Sequence, residues 1–236
     1  MGKYALIMAG GSGNRMAADV PKQFLPLAGR PVLMRTLDIF YQYDPAVCLI
    51  LVLPSAHLIY WKQLCRQWAF DIPHQVVEGG SERFHSVKNG LVRMQQLRAE
   101  AGLPRTAGQD DLVAVHDAVR PLIDVEFIAR CYEAAGRYGA VVPVLPMTES
   151  VRRVAADGES QAEDRHSFFR VQTPQIFQAD LLWKAYQQDY RPEFTDDASV
   201  VEADGAKIYV VNGLRENLKI TMPEDMVLAE YWLNGK

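Results

Sequence analysis

The chain is poor in cysteine and has no long apolar run. Its three cysteines, Cys48, Cys65 and Cys131, include no Cys-x-x-Cys pair, which argues against a disulfide framework and against a zinc site. The apolar run at residues 47–53 is seven residues long, whereas a helix that spans a bilayer needs about 20. The apolar segment behind Lys3 is shorter than a signal-peptide core of about 7–15 residues. We therefore expect a cytoplasmic protein that is not inserted in a membrane.

An overall excess of positive charge is also missing. The net charge of the 236 residues is −4, so the protein as a whole is not expected to bind nucleic acid. The charge is nevertheless uneven, because residues 1–36 contain five basic residues and a single acidic one, Asp19. This imbalance predicts a local anion site near the N-terminus.

What the chain does have is an alternation of short apolar runs with helical patterns. The hydrophobic content of 49% is enough for a sizeable core. The predicted strands are 4–8, 47–53, 74–77, 112–115, 140–144 and 207–211, and the predicted helices are 31–43, 56–69, 81–97, 124–136, 179–188, 196–204 and 223–234. This order predicts an α/β fold with a mainly parallel sheet that is covered by helices on both faces.

Three of these helices begin at recognisable capping signals. Ser81 and Asp124 each stand where an N-cap residue is expected, and Thr221 with Glu224 has the spacing of a capping box. We therefore expect these side chains to receive hydrogen bonds from the first turns of their helices.

One segment, at about residues 146–172, interrupts the alternation. Two β-like runs, 150–154 and 167–171, flank a polar tract that contains Asp157 and Gly158, which is typical of a hairpin. A two-stranded arm has little core of its own, so a second copy of the chain is the expected support. The alternative is a mobile surface loop.

The first strand is followed by a glycine-rich loop, AGGSGNRM, at residues 9–16. It is not a dinucleotide fingerprint, because Met16 replaces the third glycine, and it is not a P-loop, because Arg15 replaces the glycine of that motif. What remains is a backbone that can approach phosphate closely, together with two cations, Arg15 and Lys22. A glycine turn with two solvated surface cations is the alternative.

Six further motifs follow this loop along the chain. They are PKQ (21–23) with LAGRPVL (27–33), EGGSERFHSV (78–87), VHDAVRP (115–121), DRHSFFRVQTPQIF (164–177), TDDAS (195–199) and NLKITMPEDM (217–226). Together they resemble the 2-C-methyl-D-erythritol 4-phosphate cytidylyltransferase family over residues 4–232. The resemblance implies a single Rossmann-like nucleotidyltransferase domain over residues 1–236, with the arm used to form a homodimer.

The same resemblance implies the activity and the residues that serve it. The expected reaction transfers CMP from CTP to methylerythritol phosphate and releases pyrophosphate, with Mg²⁺ or another divalent cation as cofactor. The implied catalytic residues are Arg15, Lys22, Lys219 and Arg165. The implied nucleotide-binding residues are Ala9, Gly10, Gly11, Gly13, Gly79, Gly80, Arg83, Ser86 and Asp117. The implied substrate-binding residues are Arg120, Ser150, Arg165, Thr173, Thr195 and Asp196, and Asp117 is the one candidate metal ligand.

The chain departs from the family pattern at two places. Ser150 stands where the family usually has threonine, in a tract about two residues longer than the pattern, so the register of the first strand of the arm is open. Ser81 stands where many relatives have an acidic residue. A cytidylyltransferase for ribitol 5-phosphate, or another sugar-phosphate nucleotidyltransferase, remains the alternative reading of the same motifs.

Overall fold

The computed structural model describes residues 2–10, 20–103 and 111–235. Its main feature is an eight-stranded sheet. The strands of the described chain are β1 (Lys3–Met8), β2 (Pro26–Leu27), β3 (Arg30–Pro31), β4 (Cys48–Leu53), β5 (Gln75–Glu78), β6 (Leu112–Asp117), β7 (Ala140–Pro146), β8 (Val151–Val154), β9 (Ser160–Glu163), β10 (Phe169–Val171), β11 (Gln175–Gln178) and β12 (Tyr209–Asn212). All six predicted strands are present, as β1, β4, β5, β6, β7 and β12.

The sheet has the order β10-β7-β11-β6-β1-β4-β5, and β12 pairs with β7. The pairs β1–β4, β1–β6, β4–β5 and β7–β12 are parallel. The strand β11 lies between β6 and β7 and is antiparallel to both. The prediction of a mainly parallel sheet is therefore confirmed, with two antiparallel strands, β10 and β11, that the sequence did not predict in these positions.

Helices cover both faces of this sheet. They are α1 (Val32–Tyr43), α2 (Ser55–Gln67), α3 (Arg83–Glu100), α4 (Val125–Tyr138), α5 (Ala179–Ala185), α6 (Asp197–Ala203) and α7 (Pro223–Asn234). Side chains alternate between the faces of a strand, and β1 shows the result. Ala5 and Ile7 pack with α1, α2 and α4 on one face, whereas Leu6 and Met8 pack with α3, α5 and α6 on the other. The central strand thus serves two separate cores.

The arm is present, but its pairing differs from the prediction. β8 pairs antiparallel with β9, from Val151 opposite Glu163 to Val154 opposite Ser160. The predicted second strand, 167–171, instead contributes β10 to the main sheet, where it pairs with β7. The prediction was wrong because the turn at Gly158, with φ +91°, brings together the residues nearest to it. The later apolar run is then free to join the sheet.

The helix starts confirm one of the three capping predictions. Asp124 accepts a hydrogen bond from the backbone N–H of Phe127 at 2.7 Å. Ser81 does not cap α3, since the N-cap is Glu82 without a side-chain hydrogen bond. The Ser81 hydroxyl instead lies 3.1 Å from His85 Nδ1.

The start of α7 is also capped differently from the prediction. Its N-cap residue is Met222, and Asp225 Oδ2 accepts hydrogen bonds from the backbone N–H groups of Thr221 and Met222 at 2.7 and 2.8 Å. Asp225 lies one residue after Glu224, and its carboxylate reaches the donors that precede the helix. This cap fixes the chain direction just after Lys219.

Within the three described ranges, no helix is both long and apolar enough to cross a membrane.

Candidate active site

Two cavities meet at the carboxyl ends of the central parallel strands, which is the usual ligand position in open α/β sheets. The first cavity has a volume of about 310 Å³. It is lined by Met8, Ala9, Gly10, Lys22, Gln23, Gly80, Ser81, Glu82, Arg83, Ser86, Asp117, Val119 and Lys219. The second cavity has a volume of about 290 Å³. It is lined by Arg83, Asp117, Arg120, Val171, Gln172, Thr173, Gln175, Thr195, Asp196 and Lys219.

The two cavities share a charged wall made of Arg83, Asp117 and Lys219. Asp117 is the last residue of β6, and its Oδ2 lies 3.0 Å from Lys219 Nζ and 3.3 Å from Arg120 Nε. Burial alone would raise the pKa of Asp117. The charges of Lys219, Arg83 and Arg120 outweigh burial and hold this pKa well below its usual range. The carboxylate is therefore ionised at neutral pH and holds the two cations on either side of it in place.

Lys219 reaches this wall because the chain on either side of it is anchored. The backbone N–H of Ile220 donates to the carbonyl oxygen of Val119 at 2.9 Å. Ile220 is fully buried and packs with Val119 in an apolar cluster that includes α7. Since Ile220 is held this firmly, the preceding Lys219 side chain projects towards Asp117 and borders both cavities.

Arg83, the first residue of α3, is held by a buried acid. Its two terminal nitrogens donate to the two carboxylate oxygens of Asp197 at 2.6 and 2.7 Å. Asp197 is fully buried and also accepts a hydrogen bond from the Tyr186 hydroxyl at 2.7 Å. Burial lowers the pKa of Arg83, but the charge of Asp197 outweighs it and raises the pKa above its ordinary value. Arg83 is thus a permanently charged, rigid part of the wall.

The turn before α3 needs glycine for steric reasons. A Cβ on Gly80 would lie 2.3 Å from the Cβ of His85, and a Cβ on Gly79 would lie 3.0 Å from Ser86 Oγ. The Gly80 N–H donates to Ser86 Oγ at 3.0 Å, and the Gly79 N–H donates to the carbonyl oxygen of Leu53 at 2.7 Å. Both N–H groups are therefore used within the protein, and the Gly80 carbonyl oxygen accepts a long hydrogen bond from the Ser86 hydroxyl at 3.5 Å, which leaves it a second lone pair.

The N-terminal part of the predicted site is only partly within the described residues. Ala9 and Gly10 line the first cavity directly after β1. Lys22 and Gln23 line it from the next described segment, and Gln23 Nε2 donates to the carbonyl oxygen of Ala9 at 3.1 Å. The predicted residues Gly11, Gly13 and Arg15 lie outside the described residues.

The residues predicted to bind the second substrate divide into two groups. Arg120, Thr173, Thr195 and Asp196 all line the second cavity. Ser150 and Arg165 line neither cavity in the same chain. They are exposed residues of the arm, and Arg165 Nη1 donates to the carbonyl oxygen of Thr148 at 2.9 Å.

The sequence did not single out Gln172 or Gln175, which also line the second cavity. Gln175 Nε2 donates to Asp196 Oδ2 at 2.8 Å, and Gln175 Oε1 accepts from the backbone N–H of Ala198 at 2.9 Å. Gln172 Nε2 donates to the carbonyl oxygens of Leu214 and Asn217 at 2.7 and 3.1 Å. Both glutamines belong to the QTPQ part (172–175) of the motif DRHSFFRVQTPQIF, and their amide side chains were the available signal.

The described residues contain no group of three or more His, Cys, Asp or Glu side chains that could hold a metal ion. Asp117 is a carboxylate on the wall that both cavities share. Mg²⁺ prefers oxygen ligands and often takes most of them from phosphates and water. The donor set therefore fits a divalent cation held by one carboxylate and by a bound polyphosphate.

Acid should destabilise the protein through His116, which is fully buried behind the wall. Burial lowers the pKa of His116 from 6.5 to about 4. The unfolded chain takes up this proton at a higher pH than the folded chain, so the free energy of unfolding falls as the pH drops from about 6.5 to about 4. At about 1.4 kcal/mol per pKa unit the loss totals about 3 kcal/mol, of which about 2 kcal/mol is reached at about pH 5.

Urea unfolding at about pH 7.5 and about pH 5 measures this loss. The wild-type protein should lose about 2 kcal/mol more between the two conditions than His116→Gln, since glutamine does not titrate. An equal loss in the two proteins would contradict the assignment of this pH dependence to His116.

Comparison with known proteins assigns the chain to one family. The family model IspD, 2-C-methyl-D-erythritol 4-phosphate cytidylyltransferase, matches residues 4–235. The 2-C-methyl-D-erythritol 4-phosphate cytidylyltransferase of Phocaeicola vulgatus is 47% identical over 230 residues, which cover 98% of this chain and 99% of the relative. The enzyme of the same name from Porphyromonas gingivalis is 47% identical over 234 residues, which cover 99% of this chain and 98% of the relative.

Solved structures give the same result for the fold. The crystal structure of 4-diphosphocytidyl-2C-methyl-D-erythritol synthase from Anaerococcus prevotii aligns with a TM-score of 0.78 at 27% identity, covering 99% of this chain and 96% of the other. The 2-C-methyl-D-erythritol 4-phosphate cytidylyltransferase from Thermus thermophilus aligns with a TM-score of 0.73 at 30% identity, covering 99% of this chain and 100% of the other. The chain belongs to the 2-C-methyl-D-erythritol 4-phosphate cytidylyltransferase family.

Proposed function

We propose that this enzyme transfers CMP from CTP to 2-C-methyl-D-erythritol 4-phosphate and releases pyrophosphate. Its relatives are named 2-C-methyl-D-erythritol 4-phosphate cytidylyltransferases. One observation carries the proposal. Two cavities of similar size meet at a single wall that holds Arg83, Asp117 and Lys219. If a nucleotide occupies the first cavity and a phosphate the second, their phosphate groups therefore meet at Lys219.

The first cavity suits the nucleotide. It combines the backbone after β1 and the Lys22 side chain, which are features suited to phosphate, with the turn at Gly80. The exocyclic amine of cytosine is a hydrogen-bond donor. A carbonyl oxygen such as that of Gly80, whose N–H is already used, is an appropriate partner for this amine. We assign the triphosphate to the Lys22 end of the cavity and the base to the Gly80 end.

The reaction needs cations more than it needs a base. A phosphate oxygen of the acceptor attacks the α-phosphorus of CTP, a new P–O bond forms, and the bond from the α-phosphorus to the bridging oxygen breaks, so that pyrophosphate carries away the electron pair. The attacking phosphate is already an anion, so positioning and charge stabilisation supply the catalysis. Lys219 and Arg83 lie where the negative charge of the two substrates converges, and Asp117 keeps Lys219 oriented.

A divalent cation is part of the proposal. Asp117 would hold Mg²⁺ together with phosphate oxygens of the nucleotide, and when bound the ion neutralises part of the triphosphate charge. The role of Asp117 in the protein itself is to balance the surrounding cations, Lys219, Arg120 and Arg83.

The acceptor decides between this function and that of a related enzyme. Purified protein with CTP and Mg²⁺ should release pyrophosphate faster with 2-C-methyl-D-erythritol 4-phosphate than with ribitol 5-phosphate. A panel of ATP, GTP and UTP under the same conditions should give lower rates than CTP. A clear preference for ribitol 5-phosphate would contradict the assignment of the acceptor but would not affect the assignment of cytidylyl transfer.

We further propose that two chains form a homodimer through the arm. β8 and β9 form a separate two-stranded sheet, which is marginally stable alone. Next to it, Phe169 and Val171 of the edge strand β10 are 50% and 47% exposed. A second copy would cover these apolar side chains and bring Arg165 to the second cavity of its neighbour.

All three cysteines are free thiols, which fits a reducing compartment, and we place the enzyme in the cytoplasm.

Mixing two inactive variants tests completion of the site between chains. Lys22→Ala and Arg165→Ala homodimers should each have low turnover. In a mixed dimer, one of the two sites combines an intact Lys22 with an intact Arg165 from the other chain. Equal mixing should therefore restore about a quarter of the wild-type rate. No recovery, with mixed dimers verified by two affinity tags, would count against a shared site.

A further inference from the structure

His116 has no role in the reaction described above, yet it lies directly behind the wall. It precedes Asp117 in β6 and is completely buried. Its Nε2 lies 3.1 Å from the carbonyl oxygen of Arg120, and its Nδ1 lies 3.1 Å from the hydroxyl oxygen of Thr173. Both nitrogens of the ring are thus in contact with residues that line the second cavity.

These partners assign the ring proton. A carbonyl oxygen only accepts hydrogen bonds, so Nε2 carries the proton and donates a hydrogen bond to the carbonyl oxygen of Arg120. In the neutral ring Nδ1 is then an acceptor, and the hydrogen between it and Thr173 comes from the threonine hydroxyl. His116 therefore uses both nitrogens to hold two residues of the second cavity.

The hydroxyl of Thr173 is committed in a second way. It accepts a hydrogen bond from the backbone N–H of Asp117 at 3.0 Å. A hydroxyl has one hydrogen to donate and two lone pairs that accept. The hydroxyl donates its hydrogen to His116 Nδ1, and one of its lone pairs accepts from the Asp117 N–H. Its second lone pair remains for a molecule in the second cavity.

We propose that His116 is a positioning residue that turns the Thr173 hydroxyl into a hydrogen-bond acceptor for the substrate. Thr173 then receives a hydrogen bond from a hydroxyl group of the polyol and donates none to the acceptor phosphate. This inference rests on the proposed function, because it requires a polyol phosphate in the second cavity. The phosphate is left to the cations of the wall, and Thr173 recognises the polyol part.

Thr173→Val tests this inference, because valine keeps the shape of threonine without the hydroxyl. Losing one neutral hydrogen bond should raise the KM for the polyol phosphate roughly two- to tenfold. The KM for CTP should stay within about twofold of wild type. Thr173→Ser keeps a hydroxyl and should restore the wild-type KM.

Ethyl phosphate, a phosphomonoester without hydroxyl groups, separates the two parts of the substrate. As a competitive inhibitor against the polyol phosphate, it should have the same Ki with wild type and with Thr173→Val. A Ki that rises as much as the KM would show that Thr173 donates to phosphate, and this result would overturn the proposal. Absence of turnover in the wild-type enzyme would instead contradict the proposed function, so the two failures are distinct.

Two variants of His116 extend the test to the positioning residue itself. In His116→Asn the amide oxygen can still accept from Thr173, whereas His116→Leu has no acceptor. The KM for the polyol phosphate should rise further in His116→Leu than in His116→Asn. With its hydrogen released, Thr173 in His116→Leu can donate to phosphate, so ethyl phosphate should bind as well as in wild type or better. Equal KM values in the two variants would overturn the positioning role, and circular dichroism verifies that both fold.

Discussion

Replacing Lys219 by methionine should lower kcat by about 10²–10³-fold, because a preorganised cation at the point of charge development contributes this much to a reaction of this type. Lys219 borders both cavities, and its Nζ is fixed 3.0 Å from Asp117 Oδ2. Methionine fills the space of the lysine stem without the charge. Steady-state pyrophosphate release, with each substrate varied in turn, separates the loss in kcat from the change in KM.

Lys184→Met is the matched control for this experiment. Lys184 also forms an ion pair with an aspartate, Asp204, at 2.9 Å, but it lines neither cavity. Its replacement removes the same charge from the same kind of pair. Because Lys184 lies outside both cavities, and because an exposed ion pair contributes only about 0–1 kcal/mol to stability, kcat should stay within about twofold of wild type. If Lys219→Met kept a kcat close to that of Lys184→Met, the catalytic role of Lys219 would be refuted.

Replacing Arg83 by methionine should lower the free energy of unfolding by about 3 kcal/mol, near the lower end of the about 3–5 kcal/mol that follows when one partner of a buried ion pair is removed. Asp197 is completely buried, and Arg83 supplies both of its charged hydrogen bonds, whereas the Arg83 side chain keeps 33% of its surface exposed. The remaining carboxylate then lacks its cation in a buried site. Urea unfolding at neutral pH measures the loss.

A triple variant separates the structural role of Arg83 from its role at the wall. Arg83→Met combined with Asp197→Leu and Tyr186→Phe removes the buried charge, its partner and the hydroxyl that bonds to it. Apolar replacement of a complete buried ion pair is often neutral for stability, so most of the lost free energy should return. Turnover should stay low in both variants, because Arg83 also lines both cavities. Recovery of turnover together with stability would show that Arg83 serves the fold alone.

The sequence predicted those parts of the fold that depend on local pattern. The apolar run 47–53 predicted a buried strand, and β4 forms there, over Cys48–Leu53. The same holds for α4, which combines a capping residue, Asp124, with a periodic apolar face. In such segments the residues near one another in sequence are sufficient to determine the structure.

The sequence failed where the partner of a segment is chosen at long range. The run that became β10 has the pattern of a hairpin strand, but it pairs with β7, about 25 residues earlier in the chain. β11 lies between β6 and β7, although nothing in QIFQ itself specifies an antiparallel place in a parallel sheet. The choice depends on which sheet edge is open when the whole chain folds.

The candidate site shows the same division. Residues whose type alone suggests a phosphate or nucleotide site, such as Gly80 and Lys219, were predicted from motifs and line the first cavity. His116 was quoted within a motif but given no role, because its importance comes from Thr173 and Arg120, which fold against it from distant parts of the sequence. A buried side chain that acts through its neighbours leaves no sign in a single sequence.

The wall shared by the two cavities also has a consequence for the end of the catalytic cycle. The product keeps the cytidine and polyol halves on one molecule, joined by a diphosphate that would lie along Lys219 and Arg83. Each half then acts as a tether that raises the effective concentration of the other at its cavity. Such a product dissociates only when both of its halves leave their cavities at the same time. The arrangement that brings the two anionic substrates together therefore also favours retention of the product. A non-hydrolysable linker of diphosphate length between the same two fragments would turn this retention into inhibition.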